Sequence, residues 1–566
     1  MRRRLVISSV WRASRLRRHR RGAASVVCVV ALGLFAWAWR PAVVQRLGLV
    51  DPLVSAGLAL AYGPTAVTPD AEGEVVEVEL GGALRELDAR FLSVALDTSQ
   101  LVGGRWWSRS GVVEVGRGAR RVAPFDLSRP KLSRLARALA PAYLRVGGTE
   151  ADHVYYALEP GAAAALPAGY ELELSAAMWD GLAAFAADAG LDLMFTLNAG
   201  PGPRLGQGAW RADNAEALLR HARSRGHRVA VWELGNEVNG YWFIHGLEQR
   251  VSGAQYAEDI ARARQLVDRW YPESRLAGPG SLFWPVVGEP LRPLFGMLEE
   301  FLEQGARADT LPDIISWHYY PQQSRRCPVA TRRASPQLLL QPAYLDELGR
   351  WANELVRLRE RYAPEAEVWL GETGNAQCGG EPGVSDRFVA SLWWLDELGL
   401  AARQGQAVVI RQTLAGSDYG LLDDTLQPRP DYFASLLWKR LMGARVLDVH
   451  ASGDPFLRLY AHCAADAEPG AVALLAINAH PGRAASFRLP GAPANALAYR
   501  LSAPSLDSRE IELEGALLEA PGGVPPELRG TELGVDAGVF HLAPASAAIY
   551  VLGPGLAPAC APERVR

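Results

Sequence analysis

The sequence predicts an α/β protein: a (β/α)8 TIM barrel followed by a C-terminal antiparallel β-sandwich, with a membrane segment at the N-terminus. Three observations lead there. From Arg90 onward eight short apolar runs alternate with amphipathic stretches. After about Leu441 the texture changes to short alternating pieces separated by Gly and Pro, and ahead of both an Arg-rich start runs into an uncharged apolar stretch.

The start is read first. Nine Arg precede the apolar run 23–39, which ends at Arg40. Positive charge favours the cytoplasmic side, and the run is close to the roughly 17–25 residues a bilayer span needs. Residues 1–22 are therefore expected to form a basic cytoplasmic tail, and 23–39 a signal anchor. A cleaved signal peptide is the alternative, because Ala36-Trp37-Ala38 offers a small-x-small cleavage pattern. Either way the rest of the chain is expected outside the cytoplasm, anchored at the membrane or secreted or periplasmic. Cys28 lies within the apolar run; Cys327, Cys378, Cys463 and Cys560 would sit where disulfides persist.

Charge follows from the same division. The 566-residue chain has a formal net charge of -3, but eleven Arg and no acid fall in residues 1–50. The remainder is acidic, at about -14. Nucleic acid is not an expected partner. The basic residues are almost all Arg, with Lys only at Lys131 and Lys439.

Residues 40–89 show no clean period until 74–80, where alternation predicts a half-buried strand. It has no helix of its own, so it is assigned to the sandwich. The barrel is expected over 90–442. Its strands are read at 91–96, 143–146, 191–197, 229–234, 275–278, 314–319, 367–370 and 407–413, with amphipathic helices at 174–189, 215–224, 254–270, 290–303, 345–362 and 386–402. Eight such units imply a closed parallel barrel. The sandwich, 443–556, is read from strand-like pieces at 456–460, 471–476, 485–489, 510–513 and 547–552, with a tail at 557–566.

Chemistry in this fold gathers at the C-terminal ends of the strands. The fourth ends Trp232-Glu233-Leu234-Gly235-Asn236-Glu237 and the seventh Trp369-Leu370-Gly371-Glu372-Thr373. Cleaving a glycosidic bond with retention needs a carboxylic acid to protonate the leaving oxygen and a carboxylate to attack the anomeric carbon, about 5–5.5 Å apart. Strand ends four and seven face each other across a barrel mouth, so Glu237 is the candidate acid/base and Glu372 the candidate nucleophile. Glu233 lies earlier in its strand and is better placed to orient neighbours. Arg145 can pair with a catalytic carboxylate or with another buried acid. Trp106, Trp107, Trp210 and Trp284 are candidates for sugar stacking or for packing. No His/Cys/Asp set has metal-ligand spacing and no phosphate loop or G-x-S-x-G stands out, so no metal and no cofactor is assigned.

These pieces resemble the heparanases and related β-glucuronidases of glycoside hydrolase family 79. The resemblance is carried by Phe91-Leu92-Ser93-Val94 with Asp97, Tyr143-Leu144-Arg145-Val146-Gly147-Gly148-Thr149, and the two Glu-bearing strand ends above. Ser316-Trp317-His318-Tyr319-Tyr320, Arg411-Gln412 and Pro430-Asp431-Tyr432 extend it. It implies Glu237 as acid/base and Glu372 as nucleophile. It further implies that Asn236 bonds the hydroxyl beside the anomeric carbon, that Asp97 and Thr149 hold other hydroxyls, and that Gly379, Gly380 and Tyr419 receive a uronate carboxylate. Cys378 departs from the family pattern, which has a small residue there. His318 and Tyr320, at the sixth strand end, complete the expected substrate-binding set; His318 can bind sugar, orient Glu372 or pack as a satisfied core histidine. The resemblance also implies a Cys463–Cys560 bridge; Cys327 and Cys378, on neighbouring loops, can form a second one bordering the site.

The expected activity is retaining hydrolysis of β-D-glucuronides by double displacement, exo-acting on a glucuronide-containing glycan. The alternatives are an endo-acting, heparanase-like enzyme, a retaining glycosidase for a neutral sugar, and a surface carbohydrate-binding protein without catalysis. The exo expectation rests on charge, since gripping a sulfated chain calls for a basic cleft. The compact basic cluster is Arg117, Arg120, Arg121, Arg129, Lys131 and Arg134, which either borders the cleft or forms a solvated loop and helix face. The excised linker of the animal enzymes is not evident between Asp97 and Pro130, so activity without proteolytic processing is expected. No oligomeric state is assigned.

Overall fold

The structure, a computed structural model, describes residues 75–107, 120–159, 165–204, 206–284, 287–327, 330–465 and 467–561. The expected membrane segment, Arg117 of the basic cluster and the last five residues lie outside them. No helix among the described residues is long and apolar enough to cross a membrane.

Eight parallel strands close into a barrel: Leu92–Asp97, Ala142–Gly147, Leu191–Leu197, Val231–Leu234, Arg275–Phe283, Ile314–Tyr319, Glu367–Thr373 and Val408–Arg411. Strand eight pairs with strand one at Val409–Leu92 and so completes the ring. Every residue of strands one and two is buried, as expected where helices cover one face of a sheet and the barrel core fills the other. Each strand is followed by a helix; Pro130–Arg137 and Pro430–Leu441, which precede strand two and the second domain, both carry Pro in the first turn, where its missing N–H costs no helical bond. The helix Ala176–Ala189 begins with the Ser175 hydroxyl accepting from Met178 N and ends at Gly190 in the left-handed region.

Two helices differ from the sequence expectation. The stretch 290–303 is not one helix but two, Arg292–Phe295 and Leu298–Ala308, because Gly296 is extended and the Glu289 carboxylate caps the second helix, accepting from Leu298 N at 3.0 Å. The helix Phe388–Arg403 is not amphipathic: Phe388 to Ala402 are all buried. It lies between the barrel and the second domain, where the Asp396 carboxylate accepts from Arg458 and Tyr460. A Cβ at Gly399 would lie 2.3 Å from the Tyr460 ring.

The second domain is an eleven-stranded sheet. Its faces divide as strand alternation requires: Phe456, Tyr460, Ala473, Leu475 and Ile477 join the barrel core, whereas Leu457, Leu459, Val472, Leu474 and Ala476 enter a separate core. In that second core Phe540 packs on Tyr550 at 4.7 Å and stacks on Phe487 at 5.0 Å, so the sheet folds over itself as a sandwich. The early strand, Val76–Glu86, pairs antiparallel with Met442–Ala451 and parallel with Ala485–Arg488. Cys463–Cys560 and Cys327–Cys378 are both bridged, with Cα separations of 5.3 and 5.4 Å.

Candidate active site

Strand four gives way to Gly235, with φ at 74°, then Asn236, then Glu237 at φ 55°. Glycine is required at the turn, since a Cβ on Gly235 would meet the Tyr241 hydroxyl at 2.6 Å. Buried Asp152 fixes the turn by accepting from Asn236 N at 3.1 Å and from Ala199 N, beyond strand three, at 3.0 Å. Glu372 lies within the last turns of strand seven, where Thr373 still pairs with Tyr319 of strand six. The result is convergence: Glu237, Glu372 and His318 each place a ligand-type atom within 4.8 Å of the others.

The two carboxylates have different surroundings. Glu237 Oε1 accepts the Trp284 indole N–H at 2.9 Å and lies 3.3 Å from His318 Nδ1. Burial, followed by the negative charge of Glu372, raises the Glu237 pKa well above the usual carboxylate value. Burial and nearby Arg145 lower the His318 pKa, so that its imidazole is neutral. Glu372 instead accepts from Arg145 Nη1 at 2.8 Å and from the Tyr320 hydroxyl at 2.6 Å. One carboxyl is thus pushed toward its acid form by burial and a neighbouring charge, while the other receives a guanidinium and a hydroxyl. Donors already face both carboxylates of the cluster.

Arg145 is fully buried and joins the site together. Its Nε donates to Glu233 at 2.9 Å and its Nη2 to Asn236 Oδ1 at 2.9 Å. Burial opposes its charge, but Glu233 and Glu372 outweigh that and raise its pKa. Glu233 also accepts from Thr196 and Ser316, and so orients neighbours without facing the cleft.

The remaining expected residues surround this pair. Asp97 caps a short helix through Ser99 and accepts from Gln412; burial is the main cause raising its pKa to about 7. Thr149 is exposed at the start of the 3-10 turn Thr149–His153, next to Gly148, whose N–H donates to Asn236 Oδ1. Tyr419 stacks over Tyr320 at 6.5 Å and meets Trp106 edge-on at 6.2 Å. Cys378, Gly379 and Gly380 have φ of 60°, 81° and 79°, three successive left-handed residues.

Some expectations separate here. Trp210 is 2% exposed with its indole on Asn198 O, so it packs; Trp106 is also buried. Of the described members of the basic cluster, Arg134 turns to Gly522 O of the second domain, while Arg120 and Arg121 lie in a two-stranded ribbon with Gly104–Trp106. Asp152, Gln412 and the indole contact of Trp284 were not predicted as parts of the site. Asp152 acts through backbone N–H groups, and Gln412 and Trp284 through the carboxylates of Asp97 and Glu237, which motif spacing does not reveal.

Residues 105–399 match the N-terminal domain of glycosyl hydrolase family 79. Mouse heparanase is 31% identical over 76% of this chain and 79% of its own length. Mouse inactive heparanase-2 is 32% identical over 52% of this chain and 48% of its own. Among solved structures, a 4-O-α-L-rhamnosyl-β-D-glucuronidase from Fusarium oxysporum superposes with a TM-score of 0.59, covering 85% of this chain and all of the other at 15% identity.

Proposed function

The chain belongs to glycosyl hydrolase family 79 and is a glycoside hydrolase, and on that premise we propose that it cleaves β-D-glucuronides with retention, removing a terminal glucuronic acid. The observation that carries the reading is the pair Glu237 and Glu372, with carboxyl oxygens within 4.8 Å across the barrel mouth, in keeping with the short separation of retaining enzymes. Glu372 attacks the anomeric carbon while Glu237 gives its proton to the departing oxygen. Once Glu372 is esterified, its charge no longer raises the Glu237 pKa, and Glu237 becomes the base that activates water. Asn236 bonds the adjacent hydroxyl, Asp97 and Thr149 others, and His318 and Tyr320 hold the two carboxylates. The left-handed run at Gly379 and Gly380, with Tyr419 beside it, suits a uronate carboxylate, because successive backbone N–H groups in such a run can converge on an anion.

A relative named inactive raises the non-catalytic alternative; the presence of both Glu, each with its own donors, favours catalysis here. The second reading is endo cleavage of a glucuronate-containing polysaccharide, favoured by the 31% identity to mouse heparanase. The two bridges suit an oxidising compartment outside the cytoplasm. A panel of 4-nitrophenyl glycosides tests the substrate: turnover of the β-glucuronide above the β-glucoside, β-xyloside and α-arabinofuranoside is expected, and preference for a neutral sugar would refute the glucuronide assignment. Size-exclusion of a heparan sulfate digest separates exo from endo action, since early loss of chain length without free uronic acid would establish the second reading.

A further inference from the structure

We infer that the Cys327–Cys378 bridge and Arg326 set the preference for a uronate over a neutral sugar, by holding the glycine loop after strand seven in its carboxylate-receiving shape. This rests on the glucuronide reading above. Within the left-handed run 378–380, Gly379 and Gly380 adopt their φ without penalty. Cys378 carries a β-carbon, and an L residue there needs its conformation imposed from outside.

The bridge supplies that constraint. It ties Cys378 to Cys327 on the loop after strand six, at a Cα separation of 5.4 Å. That partner loop is itself fixed: Cys327 N donates to Ser324 O at 3.0 Å, while Ser324 Oγ and Arg325 N both donate to Glu381 at 2.9 and 2.8 Å. Neighbouring Arg326 donates to Gly380 O at 3.1 Å and pairs with Asp418. From the strand-eight loop, Asp418 N and Ser417 Oγ each donate to Gly379 O at 2.8 Å. Tyr419 N also donates to Gly379 O, at 3.2 Å, so the strand-eight loop fixes the orientation of the Gly379–Gly380 peptide. No side chain can be added to the run: a Cβ at Gly379 would lie 2.2 Å from Trp107, and one at Gly380 would lie 2.7 Å from Tyr419 N. The bridge and Arg326 therefore grip the first and last members of a run whose middle is already fixed by packing.

A contact to the uronate is remote from the reacting carbon, so loosening it weakens binding more than the chemical step. In a Cys327→Ser/Cys378→Ser variant, KM for 4-nitrophenyl β-D-glucuronide is expected to rise about tenfold with kcat little changed, while KM for the β-D-glucoside stays put. Arg326→Gln, and the wild type with its disulfides reduced to thiols under conditions that keep it folded, are expected to shift the same ratio in the same direction. Cys463→Ser/Cys560→Ser, far from the loop, should leave the ratio at its wild-type value. Should the double-Ser variant not fold, Arg326→Gln and the reduced enzyme carry the decision. A wild-type ratio in whichever of these proteins fold overturns the inference. A wild type that does not favour the glucuronide at all overturns the glucuronide reading and the inference with it, whereas a wild-type preference that survives loss of the bridge and of the Arg326 charge overturns the inference alone.

Discussion

The guanidinium of Arg145 lies 2.8 Å from Oε2 of Glu372, and the same side chain bonds Glu233 and Asn236. Arg145 thereby couples the strand that bears the proposed nucleophile to the strand that bears the proposed acid. Removing it leaves two buried carboxylates facing each other without a counter-charge. Arg145→Met is expected to destabilise the fold by about 3–5 kcal/mol, the range for breaking a buried pair from one side. Urea unfolding followed by circular dichroism measures it, and a loss below about 1 kcal/mol would assign the acids another partner.

The acid and nucleophile roles separate kinetically. An acid matters most when the leaving group is poor, so Glu237→Ala should slow alkyl glucuronides by about two orders of magnitude or more and activated aryl glucuronides much less in their first step. Glu372→Ala should abolish both. Equal loss on an activated substrate in the two variants would contradict the assignment.

The pH dependence follows from the raised Glu237 pKa. Burial comes first and the Glu372 charge second among its causes. Glu237 must be protonated to act, so kcat/KM is expected to fall as pH rises through that raised pKa. Glu372→Gln removes the second cause only, and should lower the Glu237 pKa part of the way toward the usual value. Carboxyl carbon NMR of the two proteins reads the shift directly; an unchanged or higher value in Glu372→Gln would show that the two groups do not interact.

Beside Glu372, the Thr373 hydroxyl lies 2.8 Å from Tyr319 O and 2.6 Å from Glu397 Oε1. One hydroxyl proton cannot serve two acceptors fully, so Glu397 is a neutral acid that donates to Thr373 while Thr373 donates to Tyr319. Burial, its main cause, pushes the Glu397 pKa up to about 8. A carboxyl raised in the folded state gives stability that is fully present below the unfolded pKa of about 4.3 and lost as pH rises through the folded one. Glu397→Gln keeps the donor without titrating. Its unfolding free energy is expected to gain on the wild type as pH rises from about 4 toward 8, and parallel stability curves would refute the neutral acid.

Much of the barrel was legible because its buried strands are short apolar runs of a single texture, such as Leu191–Leu197 and Ile314–Tyr319, where sequence and structure give the same bounds. Strand five runs on to Phe283, past the 278 expected, because Gly280 and Pro279 interrupt its apolar pattern. Met442–Ala451 and Asn495–Ser502 went unread: each has one face half exposed and mixes charge with apolar residues, so its pairing in the sheet decides its state. At the site, Glu237, Glu372, Asn236 and Glu233 could be read from strand-end position. Trp284 could not be assigned, because it reaches Glu237 from a loop 47 residues away and only folding brings the indole to the carboxyl.

The most direct test traps the covalent intermediate. A 2-deoxy-2-fluoro-β-D-glucuronyl fluoride slows both steps but leaves a good leaving group, so the glycosyl-enzyme should accumulate. Digestion and mass spectrometry are expected to find one glucuronyl adduct, on the peptide containing Glu372 and on that carboxyl itself. An adduct on Glu237 or Glu233, or release of product with inverted anomeric configuration and no adduct, would contradict the account.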